Sequence, residues 1–205
     1  MKVLVACEES QEVCKAFRAK GHEAYSCDIQ NCSGGVPEWH IKADALELMK
    51  IDWDLIIAHP PCTYLTAAGA IRLFNKDHSI ADSDRLQKGR EAAEFFMAIY
   101  HNKCERIAIE NPVPMRIFGL PKCTQIIEPY MFGDPWKKRT CLWLKNLPML
   151  FATEVVEPKG LWVGSTSARR DPTIKQRYVL NSIRDQKQRS KTFPGIAKAM
   201  AEQWG

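Results

Sequence analysis

Short apolar runs alternate with longer amphipathic stretches along this chain, and the alternation predicts a parallel sheet with crossover helices. Compact apolar runs predict strands at Lys2–Ala6, Ala24–Cys27, Trp53–Ala58, Arg106–Ile109 and Thr140–Leu144. Apolar residues at helical spacing predict helices at Val13–Lys20, Ser83–Tyr100 and Gly195–Trp204. We therefore expect an α/β fold with a mostly parallel central sheet and helices on both of its faces.

Polar and reactive residues follow four of the predicted strands. These groups are Glu8 to Ser10, Asp28, His59 to Cys62, and Glu110 with Asn111. In open α/β sheets, ligands bind beyond the carboxyl ends of the strands. We therefore expect the four groups to meet at one edge of the sheet and to form a single site.

Cys62 is the candidate nucleophile. It follows a buried strand and the pair Pro60-Pro61, which restricts the backbone of its loop. A thiolate in such a loop can attack an electrophilic carbon, provided that neighbouring positive charge or a helix N-terminus lowers its pKa. A buried, unreactive cysteine is the alternative interpretation, and the two preceding prolines favour the functional one.

Glu110 is the candidate partner of this nucleophile. It ends an apolar run directly before Asn111-Pro112, so we expect its carboxyl group to be partly desolvated. Desolvation favours the protonated form, which can donate a hydrogen bond to a ring nitrogen or act as a general acid. A glutamate that caps a helix or forms a salt bridge is the alternative interpretation.

Composition limits the class of protein. The 205 residues, 45% hydrophobic and 26% charged, fit one soluble globular domain. We expect a core over residues 1–150, a short basic variable region over 151–192, and a C-terminal helix over 193–205 that packs back on the core. The apolar runs are too short to span a membrane, and the N-terminus predicts a strand and no signal peptide, so we expect a cytoplasmic protein without membrane contacts.

Charge and cysteines add two expectations. Residues 169–191 carry eight basic side chains against two acidic ones, which suits either phosphate contacts or a solvated loop. The eight basic residues are Arg169, Arg170, Lys175, Arg177, Arg184, Lys187, Arg189 and Lys191.

The eight cysteines are scattered and no two are separated by only two residues, so we expect reduced thiols and no metal site.

Four motifs, in matching order along the chain, resemble those of the DNA cytosine-5 methyltransferases. Pro60–Thr66 looks like the Pro-Pro-Cys-Gln-x-Phe-Ser nucleophile loop of that family, and Ile107–Pro112 resembles its strand that ends in Glu-Asn-Val. Pro135–Thr140 is similar to its Pro-Gln-x-Arg-x-Arg element, and Phe193–Ala197 to its C-terminal segment near the cofactor. The chain resembles still more closely the short methyltransferase-like proteins of phages and prophages, which have no full target-recognition domain.

The resemblance implies a Rossmann-like methyltransferase sandwich that uses S-adenosylmethionine and acts on cytosine in DNA. Cys62 would add to carbon 6 of cytosine while Glu110 holds and protonates nitrogen 3, and carbon 5 would then take the methyl group. Arg139 is the implied basic group that steadies the base or its covalent adduct. A target base in duplex DNA has to be flipped out of the stack to reach Cys62.

The resemblance also implies which residues bind the cofactor and the substrate. The implied cofactor contacts are Cys7, Glu8, Ser10, Asp28, Ile29, Asp44, Ala45 and Pro60. Further implied substrate contacts come from Pro61, Asn111 and Lys138. Taken without the resemblance, Asp44 is more simply interpreted as the N-cap of a helix.

The chain departs from the family in ways that leave other functions open. Residues 6–11 replace the glycine-rich turn. Only about forty residues separate Pro148 from the terminal helix, which is too short for an independent recognition domain. Recognition is therefore minimal, supplied by a partner, or unnecessary because the substrate is a free cytosine nucleotide. After an enzyme acting on DNA and one acting on a free nucleotide, a non-catalytic DNA-binding regulator is the third possible function.

Amino-group methylation is disfavoured, because Cys62 replaces the aromatic ring on which that chemistry stacks the base.

Overall fold

The computed structural model describes residues 1–161 and 186–205. Over these residues the chain forms a seven-stranded sheet in the order β3-β2-β1-β4-β5-β8-β6, beside a two-stranded sheet of β7 and β9. The strands are β1 (Lys2–Ala6), β2 (Glu23–Asp28), β3 (His40–Lys42), β4 (Leu55–Ala58), β5 (Ile107–Pro112), β6 (Gln125–Ile127), β7 (Trp136–Lys137), β8 (Thr140–Lys145) and β9 (Gly160–Leu161).

The helices connect and cover these strands. The α-helices of the described ranges are α1 (Glu12–Ala19), α2 (Ala45–Leu48), α3 (Ala70–Leu73), α4 (Ser83–Tyr100), α5 (Gln186–Ser190) and α6 (Pro194–Trp204). Short 3₁₀ turns lie at Pro37–Trp39, Ala67–Gly69, Arg116–Phe118 and Pro129–Met131. None of the helices described is long and apolar enough to cross a membrane.

The strand order creates a switch point between β1 and β4. The chain builds the sheet outward from β1 through β2 to β3, then returns to place β4 on the other side of β1, and all of these neighbours are parallel. Such a reversal opens a crevice at the carboxyl ends of the two central strands. Strand β8 runs antiparallel to β5 and β6, so its first residues lie at that same edge.

Alternate strand residues point to opposite faces, and each face is covered by helices. Val5 and its neighbours on one face pack with Phe17 of α1 and Trp204 of α6. Leu4 and its neighbours on the other face pack with Phe96 of α4. The predicted fold class, a Rossmann-like α/β sandwich with a mostly parallel sheet and helices on both faces, is therefore confirmed.

Strand β5 continues further than the sequence indicates. We expected Asn111-Pro112 to stop it, but Glu110, Asn111 and Pro112 are paired with Leu142, Cys141 and Thr140 of β8. An antiparallel neighbour supplies partners beyond the end of the apolar run, and this overrides the local stop signal. Glu110 therefore projects from a paired strand and not from a loop.

The basic region is described only in part. Arg169, Arg170, Lys175, Arg177 and Arg184 lie outside the described residues, whereas Lys187, Arg189 and Lys191 lie within them. The C-terminal helix α6 packs against α1. The boundaries expected at residues 150 and 192 stay a prediction.

Candidate active site

The loop after β1 follows a path that usually needs glycine. Cys7 and Gln11 both have left-handed backbone angles, with φ of 58° and 61°, a conformation that costs a residue with a side chain ~1 kcal/mol. The amide side chain of Gln11 makes two hydrogen bonds to the backbone of Val36, of 2.8 and 3.1 Å. The loop thus retains the sharp turn of a glycine-rich segment and fixes residues 32–36 beside it.

Glu8 in this loop is committed to the fold. It is buried, and its carboxylate accepts hydrogen bonds from the amides of Val13 at 2.6 Å and Cys14 at 3.2 Å, at the start of α1. Burial raises the pKa of Glu8 overall. The positive charge of His59 and the two amides act in the opposite direction but do not outweigh it. Ser10, also buried, lies next in the same turn. Both predicted cofactor contacts are thus covered by the protein itself.

Two carboxylates lie beside Cys7 at the ends of β2 and β3. Burial, and then the negative charges of Asp28, Cys27 and Asp44, raise the pKa of Cys7 to about 12. Asp28 accepts a hydrogen bond from the amide of Gln30. The predicted residues Cys7, Asp28 and Asp44 are therefore electrostatic neighbours at one edge of the sheet.

Asp44 is the N-cap of α2, as the simpler interpretation of its position predicted. Its side chain accepts a 2.9 Å hydrogen bond from the amide of Leu46 and stays exposed to solvent. Ala45, next to it, is buried, whereas Ile29 is 73% exposed beside Asp28. The half-buried carboxylate of Asp28 and the exposed one of Asp44, with exposed Ile29 beside Asp28, provide acceptors for sugar hydroxyls and a surface for a flat ring.

The loop that carries Cys62 is held by three neighbouring elements. The amide of His59 donates to the carbonyl of Ala6 at 2.9 Å, and the side chain of Asn111 donates to the carbonyl of Pro60 at 2.9 Å. Arg85 of α4 donates to the carbonyl of Thr63 at 2.7 Å. Of the two prolines before Cys62, Pro60 is buried and Pro61 is exposed. Asn111 thus positions this loop.

Cys62 is a neutral thiol in this arrangement. Burial raises its pKa, the charge of Glu110 raises it further, and the cations Lys138 and Arg189 only partly oppose the two effects. The lowered pKa that attack by a free thiolate would require is therefore not present, because the loop desolvates the sulfur next to a carboxylate. The influence of Glu110 on Cys62 also shows that the predicted nucleophile and its predicted partner lie at the same edge.

Glu110 is paired with a residue that the sequence did not assign. Its Oε2 atom lies 2.8 Å from Nδ1 of His59, and each side chain is only 10% exposed. Burial alone raises the pKa of Glu110, but the hydrogen bond from His59 and the charges of Lys138 and His59 outweigh it and lower the pKa overall. The prediction that Glu110 is protonated was therefore wrong, and its side chain is an ionised carboxylate.

His59 carries the complementary positive charge. Burial alone lowers its pKa, but the hydrogen bond and charge of Glu110, together with the charge of Glu8, raise it overall against the opposing charge of Lys138. Imidazolium and carboxylate thus stabilise each other in a site that would otherwise neutralise both.

This pair predicts a pH window for stability. Ionised Glu110 stabilises the fold above its ordinary pKa of 4.5 and protonated His59 below its ordinary 6.5, so the full contribution lies between these values. It is lost as the pH falls through the lowered pKa of Glu110 or rises through the raised pKa of His59. We expect Glu110→Gln to lower the free energy of unfolding by ~3 kcal/mol near pH 5.5 and by less near pH 9. Urea titrations across that range measure the difference, and a constant loss would contradict the ion pair.

Lys138 is the described cation whose charge acts on all three reactive side chains. Its charge acts on Cys62, Glu110 and His59, and its Nζ atom donates to the carbonyl of Arg189 at 3.2 Å. Arg139, the sequence-based candidate, is exposed, and its charge acts on Glu128 and Cys141. Adjacent residues before β8 point in different directions, and the predicted substrate contact Lys138 is the one brought to the site.

Three residues of this site were not assigned from the sequence. His59 was visible only as a polar residue next to two prolines, Arg85 as one of several charged residues on α4, and Arg189 as part of a basic run. Arg85 is buried, with its guanidinium 5.1 Å from the ring of Tyr64. A histidine that directly follows a buried strand was the one signal available.

The comparison with solved structures finds a distant likeness, whereas the two sequence comparisons find no match. No family model matches this chain, and no curated protein matches it. Solved structures that match include a mutant of DNMT2 from Spodoptera frugiperda, with 14% identity and a TM-score of 0.36. The match covers 76% of this chain and 54% of that structure, so the chain spans about half of its length.

Proposed function

We propose that this protein is an S-adenosylmethionine-dependent methyltransferase that methylates carbon 5 of cytosine in DNA. The observation that carries the proposal is the convergence of Cys62 and Glu110, which are 48 positions apart in sequence, on one edge of the sheet. A sulfur nucleophile and a carboxylate at the same edge match the two groups that this chemistry needs on a pyrimidine ring. The sulfur and the carboxylate come from the motifs Pro60–Thr66 and Ile107–Pro112, which follow each other in the same order as the similar motifs of the DNA cytosine-5 methyltransferases.

The charge states of the site suggest how Cys62 could add to cytosine without a change in the net charge of the site. The thiol of Cys62 would form its bond to carbon 6 of cytosine while its proton leaves, and nitrogen 3 would gain a proton as the ring electrons shift. Glu110, an ionised carboxylate within electrostatic reach of the thiol, is the group suited to take the first proton and give the second. No net charge is then created in a buried pocket, where an isolated charge is costly.

S-adenosylmethionine would be held at the edge formed by Cys7, Asp28 and Asp44. The donor set suits it, since Asp28 and Asp44 can accept hydrogen bonds from ribose hydroxyls and an adenine amino group, and exposed Ile29 can cover the ring. When bound, the cofactor supplies the methyl group that carbon 5 receives. Cys7 follows β1 and Cys62 follows its direct neighbour β4, so a cofactor bound at this edge would lie next to a base held at Cys62.

DNA is the substrate we propose, with recognition reduced or shared with a partner protein. The cations Lys138 and Arg189 both act on Cys62, so they lie where a phosphate next to a flipped base could bind. The short stretch between Pro148 and α6 leaves little room for reading a sequence, which favours a separate specificity partner or a free cytosine nucleotide as the alternative.

Transfer of labelled methyl groups tests the proposal. The purified chain is incubated with S-adenosylmethionine labelled in its methyl group and with duplex DNA, single-stranded DNA or deoxycytidine monophosphate, and the product nucleoside is identified by mass. We expect 5-methylcytosine in at least one of the DNA samples. Label in the nucleotide alone would replace DNA by the nucleotide as substrate.

Calorimetry with the cofactor separates an enzyme from a regulator with the same fold. Cofactor binding without label in any substrate, or no cofactor binding at all, would overturn the proposed activity. The second result would favour the non-catalytic regulator.

A further inference from the structure

We propose that His59 is a positioning residue that fixes the carboxylate of Glu110 for a base with an exocyclic amino group, so that the site selects cytosine over uracil. The inference rests on the proposed function and adds a specificity determinant to it. Its central observation is the 2.8 Å hydrogen bond between Nδ1 of His59 and Oε2 of Glu110. Both side chains are nine-tenths buried, so this contact is not a fluctuating surface pair.

The backbone around His59 fixes where its ring can point. Its amide is bound to the carbonyl of Ala6 in β1, and the carbonyl of Pro60 is bound by Asn111 of β5. His59, which follows β4, thus lies between β1 and β5, the two strands that flank β4, and Glu110 projects from β5. With Oε2 engaged by the imidazole, Oε1 is the oxygen that remains for a ligand at the strand edge.

The charges around the ring favour an ionised Glu110. Glu8 comes from the loop after β1, Glu110 from β5, and Lys138 from the segment before β8, and all three act on His59. Two carboxylates thus face the imidazole, and its positive charge together with that of Lys138 balances them. Nε2 of His59 has no hydrogen-bond partner among the described residues, so the ring is held by its Nδ1 contact.

An ionised, oriented oxygen discriminates between the two pyrimidines. Before it takes part in the proton transfer to nitrogen 3, Oε1 can accept a hydrogen bond from the neighbouring amino group of cytosine, whereas uracil presents a carbonyl oxygen at that position and would be repelled. A polar site that binds the wrong partner leaves its buried groups unpaired, and the loss of affinity is large. His59 contributes by keeping Glu110 both charged and correctly turned.

Three variants test this role. His59→Asn retains an N–H donor close to the position of Nδ1, His59→Leu removes the donor, and Lys122→Ala changes an exposed residue away from the site as a control. Each variant is measured for kcat and KM of methyl transfer, for the pH profile of kcat/KM, and for competition by DNA in which uracil replaces cytosine. Thermal unfolding and calorimetry with S-adenosylmethionine establish that each variant is folded and binds the cofactor.

We expect His59→Leu to lower kcat/KM by ~10²-fold and to bring the affinities for cytosine and uracil DNA closer together. His59→Asn should recover most of the discrimination but lose the part of the pH profile that follows His59. Equal discrimination in wild-type and His59→Leu protein, or no recovery in His59→Asn, would overturn the positioning role while leaving the methyltransferase proposal intact. A wild-type chain that transfers no methyl group would overturn both.

Discussion

Replacing Cys62 by serine is expected to abolish covalent capture of DNA that contains 5-fluorocytosine. Fluorine at carbon 5 cannot leave as the proton does, so a methylated adduct stays attached to the sulfur of the wild-type protein. A serine hydroxyl in the same loop is a much weaker nucleophile, and we expect methyl transfer to fall by ~10⁴-fold or more. Denaturing gels of protein incubated with the fluorinated DNA and S-adenosylmethionine show the adduct as a band of reduced mobility.

Cys123→Ser is the matched control for this experiment. Cys123 is a free, partly buried thiol like Cys62, and it lies before β6, in another part of the sheet. Its substitution should leave the adduct unchanged. An adduct that persists in Cys62→Ser protein, or that disappears in Cys123→Ser protein, would assign the nucleophile to another residue.

Replacing Gly195 by alanine is expected to destabilise the whole domain. A Cβ atom at this position would lie 1.8 Å from the carbonyl oxygen of Phe132 and 2.8 Å from Oδ2 of Asp134, which itself accepts the amide of Gly195 at 2.9 Å. Backbone cannot move aside as a flexible side chain can, so helix α6 has to shift away from the sheet. That helix buries Trp204 and Met200 in the core, and we expect a loss of at least ~3 kcal/mol in the free energy of unfolding.

Thermal unfolding measures this loss against the same substitution elsewhere. A loss of ~3 kcal/mol corresponds to a fall in Tm of roughly 6–12 °C for a domain of this size. Gly21→Ala adds the same methyl group where no atom lies within 4 Å, and its φ of 83° alone should cost ~1 kcal/mol. Equal falls in Tm for the two variants would show that the contact between α6 and Phe132 tolerates a side chain.

The long elements of the fold followed from the hydrophobic pattern, and the short ones did not. Ser83–Tyr100 has the predicted bounds, because its repeat extends over several turns. Strands β3 and β6 have three residues each, too few for a period to be recognised. The extension of β5 to Pro112 depended on β8, which lies almost thirty positions later in the chain.

The position of the site was easier to predict than its charge states. Parallel strands bring their carboxyl ends together, so the convergence of Cys62 and Glu110 followed from topology alone. Their ionisation depended on His59 and Lys138, whose approach is set by tertiary packing. Desolvation was anticipated for Glu110, but the buried imidazole of His59 and the charge of Lys138 together reversed its effect on the pKa.

On the proposed function, the neutral sulfur of Cys62 would make the resting protein resistant to chemical modification. Alkylating agents and peroxides react with thiolates, and a half-buried cysteine that retains its proton offers them little. If Cys62 is the nucleophile, as we propose, its protonated state would protect it from such chemical damage. The arrival of a cytosine ring, which completes the proton path, would then be the event that makes it reactive.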